Sequence, residues 1–273
     1  MADSPEISRR DGRSLFGLDS AGYDAARPPY PEEIYEILQD RCGLSAGTST
    51  LEIGAGSGQA TRELVARGAD PVVAIEPDAA LAERIPGSLG ELSDRAQVVV
   101  TSLEEADLPK DRFELAAAAT AFHWVEPVTG HRKVHDSLVS GGAWAMWWNV
   151  FGDPERDDPF HDATNHLMAP LSRSPSDGNA GRPPFALDVE RRTAELTVAG
   201  FVDIRHTAIL WSLLLNAQEV RKLYGTFSGV NVLAPRDRER LLDAITEIAA
   251  TQFSDRVERN MISSIYTSRK PDA

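Results

Sequence analysis

The chain has 273 residues, 42% apolar and 26% charged, with a formal net charge of −14 and one cysteine, Cys42. That length holds one large domain, or one domain with a sizeable insertion, and the composition is that of an ordinary globular protein. The acidic balance argues against a nucleic-acid partner, which needs clustered Lys and Arg. A single cysteine excludes an intrachain disulfide and makes a reducing cytosol the expected compartment, and no apolar run approaches the ~18 residues of a membrane span.

Residues 1–15 are polar and charged, without the apolar core of a signal peptide, and predict a loosely attached terminus. Phe16, Tyr23-Asp24 and Arg27-Pro28-Pro29-Tyr30-Pro31 follow. The prolines stop any helix and push the chain into an extended path. Taken alone this is a surface segment pinned by three aromatic rings. Pro31 then opens a helix over 32–41, with Glu32 and Glu33 in its first turn as the macrodipole prefers.

Thr48 to Ile53 reads as a short buried strand with Glu52 near its end. The turn Gly54-Ala55-Gly56-Ser57-Gly58 and the start of a helix come next. Glycines at alternate positions let the backbone turn sharply and approach a ligand closely, and the following helix offers unpaired N–H groups at its N-terminus. The dinucleotide fingerprint would place a third glycine at position 59, which is Gln. Glu52 would repel a pyrophosphate and suits a cationic ligand better. Pro71 to Ile75 is the next strand, ending in Glu76. A carboxylate there accepts hydrogen bonds from ribose hydroxyls. A nucleoside with a positively charged tail and no phosphates fits both acids, and S-adenosylmethionine is such a molecule. In these residues the chain resembles the class I S-adenosylmethionine-dependent methyltransferases, whose first motif is E/D-x-G-x-G-x-G with an acidic residue ending the second strand.

The phrase F…YD..RP.YP over 16–31 further resembles the N-terminal segment of a small-molecule branch that includes the trans-aconitate methyltransferases. There the segment covers the active site, which implies that Tyr23 and Arg27 meet the methionine carboxylate or the substrate. Pro77 to Ile85 begins a helix, and Gln97 to Val100 is a short strand. The resemblance places the adenine at the turn that follows, read by Ser102, Leu103 or Glu104, because the family's usual aspartate is absent. The alanine-rich run from Phe113 to Ala119 is helical on propensity alone. The match of Ala121-Phe122-His123-Trp124 to the fourth-strand ending of that branch makes it a strand instead. His131 to Leu138 reads as a helix stopped by Gly141-Gly142, and Ala143 to Val150 as the fifth strand.

Strands alternating with helices imply a parallel, doubly wound α/β sheet. The resemblance completes it as a Rossmann-like seven-stranded sheet with an antiparallel last strand and a mostly helical cap. Ligands bind such sheets at the carboxyl ends of the strands, where Glu52, Gly54, Glu76, Ser102, Thr120, His123 and Asn149 all fall. The expected organisation is a covering segment over 1–30, a cofactor-binding core over 31–150, and further core strands with cap insertions over 151–273. Those insertions span about 152–190 and 212–236. Within them lie a helix over 159–171, a sixth strand ending near Trp211, a helix over 237–252 and a last strand over 261–267.

The resemblance implies a cofactor set of Tyr23, Arg27, Glu52, Gly54, Ala55, Gly56, Gly58, Glu76, Pro77, Ser102, Leu103 and Thr120, with S-adenosyl-L-homocysteine as product. His123 is the candidate base, against a reading in which it and Trp124 only brace their loop. Asn149 either orients an acceptor or caps a connection. Trp124, Tyr224 and Phe227 are candidate substrate contacts and Trp211 a further one, with cap packing the rival reading, while Trp147 and Trp148 read as core. His131 and His135, and the loose group Asp157, Asp158, His161, Asp162 and His166, read as solvated helix faces, so no metal is expected. Methyl transfer to a small molecule, through oxygen in a specialised metabolite or small carboxylic acid, is the function implied. The rival functions are a non-methylating reaction such as a cyclisation in the same cofactor site and, disfavoured by Gln59 and Glu52, a nicotinamide-dependent oxidoreductase.

Overall fold

The computed structural model describes residues 6–9, 26–178 and 181–272. Helix α1 (Glu32–Cys42) leads into β1 (Thr48–Ile53), α2 (Gln59–Ala66) and β2 (Ala69–Glu76). Two short helices, α3 (Ala79–Ala82) and α4 (Ile85–Leu89), precede β3 (Ala96–Val100) and β4 (Phe113–Ala119). Then come α5 (Pro127–Ser137), β5 (Leu138–Phe151), α6 (Pro159–Met168), α7 (Val189–Val198) and β6 (Val202–Leu215). Helices α8 (Ala217–Tyr224), α9 (Ser228–Asn231) and α10 (Pro235–Gln252) lead to β7 (Val257–Arg269).

The seven strands form one sheet in the order β3-β2-β1-β4-β5-β7-β6. The pairs from β3 through β5 are parallel, and β7 runs antiparallel to both β5 and β6. The carboxyl ends of β1, β2, β4 and β5 therefore point the same way.

Alternation along the central strands divides the core. Leu115, Ala117, Ala143, Ala145 and Trp147 face α1 and α2 with Ile34, Leu38, Leu64 and Val65. Ala116, Ala118, Trp144, Met146 and Trp148 face the other way, with Val134 of α5 and Leu196 of α7. The alanine run of β4 is strand because of its neighbour. Ala116 pairs with Trp144 and Ala119 with Trp147, so small side chains in the central strand leave room for indoles beside them. Tertiary packing here overrides helix propensity.

The cap has its own core, in which Phe160 of α6, Val220 and Tyr224 of α8 and Leu242 and Ile245 of α10 pack together. Helix α8 opens with a capping box between Asn216 and Glu219. Strand β6 continues to Leu215, beyond the expected end at Trp211, because it pairs with β7 along its length. Trp211 thus belongs to the edge strand, with its indole N–H donating to Ser263 Oγ at 2.9 Å. Among the described residues, no helix is long and apolar enough to cross a membrane.

Candidate functional site

The glycine turn is stapled to the end of β2: the Gly54 and Ala55 N–H groups both donate to the Ile75 carbonyl, at 2.8 and 3.1 Å. Gly54 sits at φ +66°, and a Cβ there would lie 2.5 Å from that of Ala121, so both backbone and space exclude a side chain. Glu76 closes the arrangement. One carboxylate oxygen accepts from the Gly56 N–H at 2.8 Å and the other from the Asp78 N–H at 2.9 Å.

A cavity of about 570 Å³ opens beside this turn. At one end it is lined by Gly54, Glu76, Pro77, Ser102, Leu103, Glu104 and Thr120, and at the other by Phe151, His161, Arg173, Tyr224, Phe227 and Arg259. His123, Trp124, Trp148 and Asn149 lie in its wall as well. A smaller cavity of about 90 Å³ is lined by Ala55, Gly56, Gln59 and Tyr30, and shares Arg27, Gly54, Thr120, Asn149 and Phe151 with the first. Most of the sequence-predicted residues thus meet around one space. Tyr23 lies outside the described residues. Gly58 (φ +95°) starts α2 behind the turn and lines neither cavity.

Glu52 also lines neither cavity. It is 1% exposed, its oxygens are held by no hydrogen bond of ordinary geometry, and the Thr61 hydroxyl is equally unmatched. Burial pushes its pKa up to about 8; the nearby Thr61 hydroxyl opposes the rise, and the Glu76 charge adds to it.

His123 stands on the 3₁₀ turn Phe122–Trp124 that follows β4. Its Nδ1 accepts from the Trp148 indole N–H at 3.1 Å. An indole nitrogen only donates, so the neutral imidazole carries its own proton on Nε2. Burial drives the pKa of His123 down to about 3, with Arg27 and then Arg9 adding to the effect. The ring is a neutral donor at physiological pH. Trp148, expected as core alone, is both core and the group that fixes this tautomer.

Asn149 is occupied by the protein itself. Its Nδ2 donates to the Pro28 and Pro29 carbonyls at 3.3 and 3.2 Å, and its Oδ1 accepts from Ser263 Oγ at 2.5 Å. It ties the proline segment to the carboxyl end of β5 and to the middle of the antiparallel β7. Thr120, a β-branched residue at φ +51°, is bonded through its hydroxyl to Tyr30 Oη at 2.8 Å. Strain of this kind concentrates at functional sites.

The far end of the cavity holds residues with no local sequence signal. Arg259 of β7 is buried, donating from Nε to Asp158 at 2.9 Å and from Nη1 to the Tyr224 hydroxyl. Asp158 also caps α6 by accepting from the His161 N–H. In that acidic and histidine group the solvated reading is corrected for Asp158 alone, which is 7% exposed and paired; Asp157, His161, Asp162 and His166 are exposed as expected, with His161 also bordering the cavity. His131 is corrected too. It is 1% exposed and accepts from the Trp144 indole N–H at 3.2 Å, because α5 turns that side onto the sheet. Among the described residues, no three His, Cys, Asp or Glu side chains are placed to hold a metal ion.

Residues 50–142 match the model of a methyltransferase domain. An uncharacterized methyltransferase of Mycobacterium tuberculosis is 32% identical over 183 residues, covering 59% of this chain and 72% of that protein. An uncharacterized methyltransferase of Schizosaccharomyces pombe is 24% identical over 262 residues, 93% of this chain and 96% of that one. A solved S-adenosylmethionine-dependent methyltransferase of Thiobacillus denitrificans, in complex with S-adenosyl-L-homocysteine, shares the fold. Its TM-score is 0.54 at 15% identity, over 96% of this chain and 98% of that one.

Proposed function

The chain belongs to the class I S-adenosylmethionine-dependent methyltransferases, and we propose that it O-methylates a small anionic acceptor, with a carboxylic acid as the best-supported chemistry. S-adenosylmethionine supplies a methyl group on a sulfonium, an activated carbon open to in-line displacement. Glu76 suits ribose hydroxyls, its oxygens already oriented by two backbone N–H groups. The segment after β3, with Ser102 and Leu103 in the cavity wall, suits a nucleobase. Arg27 and Thr120, shared by both cavities, suit the amino-acid tail.

The observation that carries the acceptor reading is the Trp148–His123 hydrogen bond. With Nδ1 engaged and the proton on Nε2, His123 supports an acceptor that needs a donor and has no proton to lose. A carboxylate is such an acceptor, being ionised far below neutral pH. Its oxygen forms the new C–O bond as the S–C bond breaks, and no base takes part. Arg27, Arg173 and Arg259 line the same cavity, Arg259 being paired with Asp158, and Glu76, Glu104 and Asp177 line it as well. An anionic acceptor finds guanidinium groups in this wall of mixed charge. The protein's work is then to hold the acceptor oxygen at near-attack distance and keep water out.

Product analysis tests the reading. The protein is supplied with S-adenosylmethionine and a mixture of small mono-, di- and tricarboxylic acids, with the matching amides and amines as competitors. Methyl esters are expected. Transfer confined to amines or phenols would overturn the carboxylate assignment. A rearranged product without added methyl would favour a cyclisation in the same site.

A further inference from the structure

Three aromatic rings converge on the acceptor end of the cavity from separate elements: Phe151 at the end of β5, Tyr224 at the end of α8, and Phe227 just before α9. Phe227 packs 5.3 Å from Phe151 and 4.9 Å from Tyr224, centroid to centroid. Faces of aromatic rings beside a carbonyl oxygen attract a cation, whether it comes from a ligand or from the protein. Here it comes from the protein. The guanidinium carbon of Arg27 lies 5.4 Å from the Phe227 centroid and 5.7 Å from that of Phe151, and its Nη2 donates to the Thr226 carbonyl at 3.2 Å.

We propose that Arg27 is a specificity residue that fills the protein's own aromatic cation site and so keeps ammonium-bearing acceptors out of the cavity. Its backbone is fixed next door, because Asn149 holds the Pro28 and Pro29 carbonyls. A ligand cation would have to sit beside a fixed like charge or displace a group anchored by the rings and a carbonyl, and either is unfavourable. An anionic acceptor meets the opposite condition, since Arg27 lines the cavity with its positive charge. Discrimination between amine and acid acceptors thus rests on one side chain lying on two rings.

The inference deepens the acceptor reading and shares its cavity, but its test needs no methyl transfer and so fails independently of it. Tetramethylammonium is compared with tert-butanol, a neutral molecule of similar shape, as ligands of the protein without added nucleoside by saturation-transfer NMR, so that any contact of Arg27 with the cofactor's tail does not enter the comparison. Wild type is expected to show no preference. R27A, which uncovers the rings and the Thr226 carbonyl, is expected to bind the cation about tenfold more tightly than the alcohol, and added guanidinium ion should compete with it. R27Q, which keeps length and removes charge, provides the same test should R27A fail to fold. A folded R27A or R27Q that does not prefer the cation, or a wild type that binds it as well as the variants, overturns the proposal.

Discussion

The Trp148 indole N–H donates to His123 Nδ1 at 3.1 Å, joining the fifth strand to the turn after the fourth across the cavity wall. This bond fixes the tautomer and the ring orientation of His123, and burial keeps the ring neutral. Replacing Trp148 by Phe removes the donor and keeps an aromatic ring in the site, with some loss of packing volume. W148F is expected to lower acceptor turnover about tenfold, the worth of one oriented hydrogen bond, with S-adenosylhomocysteine affinity unchanged by calorimetry. Full activity in a folded W148F would separate His123 from the chemistry.

Glu76 organises the nucleoside end through its contacts with Gly56 and Asp78. E76A is expected to weaken S-adenosylhomocysteine binding more than tenfold in a calorimetric titration, since charge-assisted hydrogen bonds are worth about 1.5–3 kcal/mol each. An unchanged affinity would refute its ribose role.

These two residues were unequally legible from sequence. The glycine turn and Glu76 are local features at fixed spacing, and the strand ends carried Thr120, His123 and Asn149 to one edge by topology alone. Trp148 as tautomer lock depends on two strands lying side by side. Arg259 meets Asp158 and Tyr224 across 101 and 35 residues of chain, and no local pattern announces such pairs. Trp211 and His131 were misplaced for a related reason. Strand length and helix facing are decided by the neighbouring element, here β7 and the sheet.

Acidity and alkalinity should act on different groups. His123 and His131 titrate near 3 in the folded state because burial disfavours their charge, against about 6.5 unfolded. The unfolded chain therefore binds more protons in between, and stability is lost as pH falls from about 6.5 towards 3. Glu52 works in the other sense. Its folded pKa of about 8 lies above the unfolded value of about 4.3, so the stability it gives at low pH is lost progressively as pH rises from about 4.3 to about 8. E52Q is expected to flatten that alkaline arm and to melt about 5 °C above wild type at pH 9. Parallel pH dependence in E52Q and wild type, by differential scanning calorimetry, would contradict the buried-acid account.

Removing one member of a buried ion pair leaves the other uncompensated. R259M strands Asp158 in the cap interior and is expected to cost about 3–5 kcal/mol in urea unfolding. The double variant D158N/R259M should recover much of it. Equal losses in single and double variants would mean that the pair is not coupled.

The central claim is that His123 presents a neutral Nε2–H to the acceptor rather than a base. Nitrogen-15 NMR of histidine-labelled protein, loaded with S-adenosylhomocysteine and titrated from pH 5 to 8, reads it directly. The expected result is a protonated Nε2 and an unprotonated, hydrogen-bonded Nδ1 at every pH in that range. Protonation of Nδ1, or titration of the ring within the range, would show a histidine able to take a proton and would contradict base-free transfer to an ionised oxygen.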